Sequence, residues 1–140
     1  MEEQKTRMNG KMIIALSRAL QTIHKDSEAL FRQNSLTMAQ FAVLEVLSTK
    51  GDLTIGNLID VVLSSSGNMT VVIRNLEKNG LIERLQNEFD KRSYVIHLSD
   101  KGKVLIDDIF TKHMNLVRKK LEVLNEDEKE LVINTLKKIG

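Results

Sequence analysis

The stretch from Leu63 to Gly102 constrains the fold most, because several local signals follow one another there in a fixed order. Ser64-Ser65-Ser66-Gly67 is typical of a helix start, and Asn79-Gly80 is typical of a helix end. Two runs typical of strands follow, Leu81 to Gln86 and Ser93 to Leu98, with mostly charged residues between them. The sequence therefore predicts a helix that leads into a β-hairpin with a charged tip.

A helix followed by such a hairpin is the arrangement with which a winged helix addresses a DNA duplex. The helix enters the major groove, and the hairpin tip, or wing, reaches a neighbouring minor groove. The formal net charge of the 140 residues is +2, which is too small to indicate a nucleic-acid partner by itself. The order of the elements, rather than the charge, carries this prediction.

Helices dominate the rest of the chain, which contains no proline and has the length of one domain. Between Thr6 and Phe31 apolar residues recur at steps of three and four, which predicts a long amphipathic helix. Thr37-Met38-Ala39-Gln40 has the form of a capping box and starts a second helix. Thr54 is a candidate N-cap for a third helix over Ile55 to Val62.

Two more helices are predicted after the hairpin. Ser99 can cap the first of them, and Asn125 to Glu128 form a capping box for the last. A tiny strand at Asp52–Thr54 could pair with the wing. The predicted order is α-α-α-α-β-β-α-α, and the predicted fold class is mainly α with a small β-wing (α+β).

The long terminal helices bear on assembly. A helix of about 25 residues is about 37 Å long, which exceeds the ~30 Å width of a small domain. Two such helices with continuous apolar stripes cannot both lie wholly on a small centre, so we expect a homodimer. The alternative is that the two helices bury each other within one monomer.

An ordered set of segments resembles the MarR family of winged-helix transcription regulators, in spacing and order from about residue 36 to 106. These segments are Phe41 to Leu47, the Ser-Ser-Gly-Asn-Met-Thr run that ends at Thr70, Asn75 to Arg84, Asp90 to Arg92 and Leu98 to Gly102. The resemblance implies a homodimer that binds a pseudo-palindromic operator in double-stranded DNA, usually as a repressor released by a small ligand. It implies a winged helix-turn-helix DNA-binding lobe over 36–98, flanked by N- and C-terminal dimerisation helices at 1–33 and 99–140.

The helix after residue 63 supplies candidate DNA contacts. Free N–H groups at its start suit phosphate, and the side chains that follow suit bases or phosphate. The candidates are Ser64, Ser65, Ser66, Asn68, Met69, Thr70 and Arg74, with Thr54 as a further phosphate anchor. Val71 departs from the family, whose members often carry a basic or aromatic residue there. In the alternative interpretation the serines merely cap the helix and Arg74 is solvated.

Asp90, Lys91 and Arg92 form the candidate wing contact. The carboxylate of Asp90 can hold the guanidinium extended, and an arginine reads the negative potential of a narrow minor groove. Arg92 matches the family's wing arginine, and Lys91 would contact phosphate. The alternative is an ordinary charged hairpin tip.

The resemblance also implies a small aromatic or amphipathic effector bound between the DNA-binding lobe and the terminal helices. Phe31, Met38 and Phe41 lie in the corresponding region of the sequence. The alternative is that these three side chains are plain core.

Several function classes are not supported. The chain has no cysteine, which excludes disulfides, cysteine-based zinc sites and thiol redox sensing. His24, His97 and His113 share no i,i+4 spacing, so we predict no metal site or cofactor, and His113 is interpreted as a core or interface residue. No catalytic motif is present, so we predict no enzyme. With no signal peptide and no apolar run of about 20 residues, we expect a cytoplasmic protein with no membrane contact.

A second functional class stays open from the sequence, since a fold does not fix a function. The alternative is a winged-helix protein–protein interaction module without DNA binding. Such a module has no need for Asp90 beside Arg92 or for a serine-rich helix start.

Overall fold

The computed structural model describes residues 1–62 and 66–140, and only the backbone of residues 66 and 67. In these ranges the chain forms six helices and a small sheet, as the sequence predicts, so the fold is mainly α with a small β-wing. The elements are α1 (Glu2–Gln33), α2 (Met38–Lys50), β1 (Leu53–Thr54), α3 (Ile55–Val62), α4 (Ser66–Lys78), β2 (Ile82–Gln86), β3 (Tyr94–Leu98), α5 (Asp100–Leu121) and α6 (Glu126–Leu136).

The predicted capping boxes form at the starts of α2 and α6. Thr37 Oγ1 accepts the N–H of Gln40 at 3.1 Å, and Gln40 Oε1 accepts the N–H of Thr37 at 2.9 Å. Asn125 and Glu128 make the same reciprocal pair at 2.8 and 3.1 Å. Thr54 Oγ1 accepts the N–H of Asn57 at 3.1 Å, which confirms its capping role for α3. These bonds satisfy donors that a helix start would otherwise leave unpaired.

Helix α4 ends before Asn79-Gly80, as the sequence predicts, and its end forms a Schellman motif. Gly80 has φ +72°, a left-handed conformation in which a side chain is disfavoured. The N–H of Gly80 donates to the carbonyl of Glu77, and the N–H of Leu81 donates to the carbonyl of Leu76, both at 3.0 Å. The chain therefore leaves α4 at a defined angle and enters β2.

Helix α1 ends in the same motif without a glycine. Ser35 takes the left-handed position with φ +58°, and the N–H of Leu36 donates to the carbonyl of Phe31 at 2.8 Å. A non-glycine residue at this position is energetically disfavoured, because its Cβ crowds the backbone.

The strands form one antiparallel sheet in the order β1-β3-β2. In the hairpin, Ile82 lies opposite Leu98, and Gln86 lies opposite Tyr94. The short strand β1 pairs with the other edge of β3, with Leu53 opposite Ile96. The sequence-based prediction of a tiny strand that pairs with the wing is confirmed.

A close contact joins the end of the wing to the start of α5. Ser99 Oγ donates to the carbonyl of Gly80 at 2.6 Å and accepts the N–H of Gly102 at 3.0 Å, as a cap does. A Cβ at Gly102 would collide with the carbonyl oxygen of Leu81. The residue at 102 must therefore be glycine if the sheet and α5 are to stay this close.

The chain divides into two compact units, with boundaries inside α1 and α5. One unit, here called the lobe, is Glu28–Lys112, and it contains the predicted 36–98 segment. Its core is continuous and includes Phe31, Leu36, Phe41, Val43, Leu44, Leu47, Leu58, Met69, Val72, Ile73, Leu76, Leu81, Ile82, Ile96, Ile106 and Ile109.

The other unit, here called the arms, comprises Met1–Ser27 and His113–Gly140. In the arms, Ser27 Oγ lies 2.8 Å from Nδ1 of His113, and Lys120 Nζ lies 3.4 Å from the carboxylate of Asp26. These contacts join α1 to the second half of α5. Within the described ranges, no helix is long and apolar enough to cross a membrane.

Candidate nucleic-acid interface

Helix α4 has one apolar face and one polar face. The buried positions recur at helical spacing and pack into the lobe core: Met69, Val72, Ile73 and Leu76. Asn68, Thr70 and Arg74 are exposed on the remaining surface, as the sequence predicts. The hydroxyl, amide and guanidinium groups of these side chains can bond base edges or phosphates.

Met69, a predicted DNA contact, lies instead on the buried face of α4. Its side chain is 1% exposed and belongs to the lobe core, so it cannot contact a thymine methyl without leaving that core. The spacing of residues 69, 72, 73 and 76 carries the signal that identifies it as a core position. Val71 is half-exposed and supplies an apolar group on the exposed surface of α4.

The serine-rich helix start is only partly described. Ser64 and Ser65 lie outside the described residues, and Ser66 opens α4 with a side chain that also lies outside them. Thr54, the remaining predicted phosphate anchor, uses its hydroxyl as the N-cap of α3.

An ion pair connects helix α4 to the wing. Arg84 on β2 places its Nε 3.4 Å from Oε1 of Glu77 on α4, and both side chains are partly exposed. Only a short Schellman turn separates α4 from β2 in the chain. The turn and the Arg84–Glu77 ion pair together hold the wing against α4. The two candidate DNA-contacting elements therefore belong to one compact unit.

The wing tip presents Arg92 to solvent, with a side chain that is 98% exposed. Asp90 Oδ1 accepts the backbone N–H of Arg92 at 3.0 Å and lies 3.9 Å from its Nε. The shorter bond is the one to the backbone, so Asp90 organises the turn more strongly than it holds the guanidinium. Lys91, between them, is also exposed.

Further hydrogen bonds order the hairpin tip. The N–H of Asn87 donates to the carbonyl of Ser93 at 3.1 Å, and the N–H of Ser93 donates to the carbonyl of Asp90 at 3.1 Å. Gln86 Nε2 donates to the carbonyl of Lys91 at 3.0 Å. The tip is therefore a bonded turn that can hold its side chains in defined directions. Sequence reasoning missed Phe89, which stands on this turn with its ring 97% exposed.

Two of the residues predicted to line an effector pocket pack against each other. The rings of Phe31 and Phe41 stack with centroids 4.3 Å apart, and both are buried in the lobe core. Both residues therefore contribute to the lobe core. Met38 is half-buried and lines a neighbouring cavity of about 220 Å³ together with Glu28 and Arg32.

A larger cavity lies elsewhere in the lobe, where sequence reasoning did not expect one. Its volume is about 530 Å³, and it is lined by Asn34, Ser35, Leu36, Lys78, Asn79, Leu81, Lys101 and Leu105. Three leucines form an apolar floor and two lysines are the charged lining groups; among the described residues, no carboxylate lines the cavity. Lys101 Nζ donates to the backbone carbonyl of Asn79 at 2.9 Å, at the end of α4.

Two of the three histidines form specific polar contacts. His97 Nδ1 lies 2.7 Å from Oδ1 of Asp52, which ties the wing strand β3 to the segment before β1. His113 is half-buried beside Ser27, consistent with a core position. Over residues 1–62 and 66–140, no three His, Cys, Asp or Glu side chains come together as metal ligands would.

Comparison with known proteins places this geometry in a family. The model of the MarR family matches residues 36–94. MhqR of Bacillus subtilis strain 168, an HTH-type transcriptional regulator, is 33% identical over 135 residues, which cover 96% of this chain and 93% of MhqR. YkoM of the same strain, an uncharacterized HTH-type transcriptional regulator, is 35% identical over 139 residues, which cover 99% and 89% of the two chains.

Solved structures share the fold at lower identity. AbsC of Streptomyces coelicolor, a MarR family transcriptional regulator, superposes with a TM-score of 0.85 at 19% identity, covering 93% of this chain and 90% of AbsC. Bordetella bronchiseptica BpsR, whose DNA binding is regulated by 6-hydroxynicotinic acid, gives 0.81 at 22% identity and 89% coverage of each chain. Reduced AbfR bound to DNA gives 0.78 at 22% identity, covering 99% and 96%. With two relatives above 30% identity along nearly its whole length, the chain belongs to the MarR family of transcription regulators, which are not enzymes.

Proposed function

We propose that this chain regulates transcription in the cytoplasm as a homodimer that grips a pseudo-palindromic operator in double-stranded DNA. In each copy α4 would enter the major groove, and Arg92 would reach the adjacent minor groove. One observation carries the proposal: a single compact unit exposes the polar surface of α4 together with a solvent-exposed arginine on an ordered hairpin tip. Regulators similar in fold include AbfR, which is known bound to DNA.

Phosphate contacts would position the lobe, and base contacts would specify the site. Arg74, Asn68 and Thr70 are the candidates for base edges, with Val71 in place of Met69 for a thymine methyl. Lys91 and the N-terminal ends of α3, at Thr54, and of α4, at Ser66, are the candidates for phosphate. The serines at 64 and 65 remain candidates from sequence alone.

Dimerisation is proposed to use the arms. Their helices expose large apolar side chains, among them Met8, Ile13, Leu20, Leu131, Ile133 and Ile139. Helices α1 and α6 also line an apolar groove of about 380 Å³, bounded by residues that include Met12, Leu16, Val132 and Leu136. A second copy could cover these surfaces under two-fold symmetry and so hold two lobes for the two halves of an operator. Of the predicted dimerisation segments 1–33 and 99–140, this proposal assigns the parts that lie in the arms, 1–27 and 113–140, to the interface.

Salt titration of duplex binding tests the proposal directly. The probe is a duplex recovered by the purified protein from a randomised library. A dimer that neutralises on the order of 6–8 phosphates should give a log–log slope of about −5 to −7. An interaction module without DNA binding would recover no preferred sequence and show no such slope.

Arg92→Ala sharpens that test. We expect the affinity for duplexes with A·T-rich flanks to fall by about 5- to 100-fold, because the minor-groove contact is lost. Lys50→Ala is the control, since Lys50 is an exposed basic residue at the end of α2, outside α4, the wing and the arms. Equal affinities for the wild type and Arg92→Ala would remove the wing from the interface.

The effector is proposed to be an amphipathic anion held in the 530 Å³ cavity. A carboxylate would be attracted by Lys78 and Lys101, while an apolar body would rest on Leu81 and its neighbours. The volume falls within the range typical of small-molecule sites, about 300–1,000 Å³. BpsR offers a parallel in which an aromatic acid regulates DNA binding.

A physical link from this cavity to α4 is available. Lys101 donates to the carbonyl of Asn79, next to the left-handed Gly80 that ends the helix. An anion that draws Lys101 away would remove a bond from this helix end and weaken the grip of α4 on DNA. In a protein–operator complex, aromatic carboxylates should therefore release DNA while the matching neutral amides do not. Lys78→Met should blunt this release, and Lys103→Met, an exposed lysine paired with Asp107, should leave it unchanged.

A further inference from the structure

Phe89 at the wing tip is almost completely exposed to solvent. Its side chain is 97% exposed, whereas Val104, another strongly exposed apolar residue of the lobe, is a smaller residue at 73%. Single exposed apolar residues are common on proteins, so exposure alone is weak evidence. A phenylalanine ring exposes more apolar surface to water than a valine does, and this ring lies on an otherwise polar hairpin tip. Its position on the wing therefore bears on its role.

The backbone holds this ring outward on an ordered turn. Asn87 Oδ1 accepts the N–H of Phe89 at 3.0 Å, and Asp90 Oδ1 accepts the N–H of Arg92 at 3.0 Å. Phe89 therefore sits between two side-chain-to-backbone turns that close the hairpin tip. The same hydrogen-bonded turn presents both Phe89 and Arg92, which are 97% and 98% exposed.

We infer that Phe89 is a wedge that inserts between adjacent base pairs from the minor groove beside Arg92. The inference rests on the proposed DNA-binding function and adds a specificity-determining residue to it. Apolar wedges such as phenylalanine and leucine unstack a base step, and the duplex bends so that it contacts more protein. A base step suits this ring because it offers an apolar surface next to the anionic groove that Arg92 requires.

The wedge gives the wing a preference that Arg92 alone would not have. An arginine favours the narrow minor groove of a stiff A-tract, whereas a wedge favours a flexible pyrimidine–purine step such as TpA. Wild-type protein should therefore prefer a TpA step among A·T pairs over an unbroken A-tract under the wing. Without the ring this order should reverse, because only the arginine would remain to read the groove.

The experiment uses the full-length protein and the duplex that it selects from a randomised library. Two versions differ only under the wing, one with a central TpA step and one with an A-tract of the same length. Affinity is measured for the wild type, Phe89→Ala, Phe89→Leu and Val104→Ala, an apolar truncation outside the wing. A 2-aminopurine placed at the TpA step reports unstacking through its increased fluorescence.

We expect Phe89→Ala to lose on the order of tenfold in affinity for the TpA duplex and little for the A-tract duplex. Its fluorescence increase should vanish, Phe89→Leu should retain part of both effects, and Val104→Ala should match the wild type. Equal behaviour of Phe89→Ala and wild type on both duplexes overturns the wedge while DNA binding itself stands. Failure of the wild type to select or bind any duplex overturns both the wedge and the proposed function.

Discussion

The lobe and the arms differ in how far they bury their apolar side chains. Within residues 1–62 and 66–140, every buried hydrophobic side chain belongs to Glu28–Lys112. The arms bury Ser27, whereas apolar residues along α1 and α6 lie exposed. Both regions contain helices that begin with a capping box, α2 in the lobe and α6 in the arms, so their helices differ in packing rather than in how they start. One chain is sufficient to form and cap these helices, but it does not bury the apolar side chains of the arms.

From this contrast we expect the lobe to contact DNA and the arms to associate with a second copy. The lobe has its own continuous core and can hold α4 and the wing in place. The arms resemble half of an interface, because amphipathic helices derive most of their stability from packing an apolar face. A second copy of the chain would complete them, and DNA recognition would then depend on both regions.

The largest expected effect is loss of a lobe core side chain. Ile73 is fully buried on α4, so Ile73→Ala should lower the free energy of unfolding by about 2–4 kcal/mol, through lost burial and the cavity left behind. Val71→Ala, on the exposed surface of the same helix, is the control and should cost well under half as much. Urea unfolding followed by circular dichroism measures both. Equal losses would mean that the lobe core does not carry the stability assigned to it.

A charge placed in the arms should act on assembly instead. Leu131 is exposed on α6, and Leu131→Lys would place a charge in each half of the proposed interface. We expect the dimer dissociation constant to rise by about 10- to 100-fold, as at an interface hot spot, with the lobe still folded. Val104→Lys makes the same kind of change on an exposed residue of the lobe and should leave association unchanged. Sedimentation velocity over a concentration series would show the reverse if the lobe were the interface.

The smallest expected effect concerns the left-handed helix ends of the lobe. Ser35→Gly should stabilise the fold by roughly 0.5 kcal/mol, because the relief of left-handed strain slightly exceeds the entropy that glycine loses on folding. Gly80→Ser, at the equivalent position after α4, should destabilise it by a similar amount. Thermal unfolding of the two variants compares them, and shifts of the same sign would show that the two ends are not equivalent.

Local chemistry made much of this fold predictable. The capping boxes at Thr37 and Asn125, the glycine after α4 and the two strand runs of the hairpin each depend on residues that are neighbours in sequence. The same applies to the exposed Arg92, since a charged residue at a hairpin tip is solvated whatever surrounds it. These signals are sufficient to fix the element order.

Features that depend on distant contacts were not predictable. Phe31 and Phe41 belong to different helices, and only their stacking shows that they fill core rather than a pocket. The lysine-lined cavity joins the ends of α1 and α4 to the start of α5, which no sequence window contains. Met69 is different, because its spacing from Val72, Ile73 and Leu76 already places it on the buried face of α4. This helical spacing predicts its burial from the sequence alone.

Sedimentation equilibrium of the full-length protein at micromolar concentration tests the central claim most directly. If a second copy completes the arms, the particle should have twice the chain mass of 15.9 kDa and should bind one selected duplex per dimer. A particle of the single-chain mass that binds the same duplex with undiminished affinity would contradict the account.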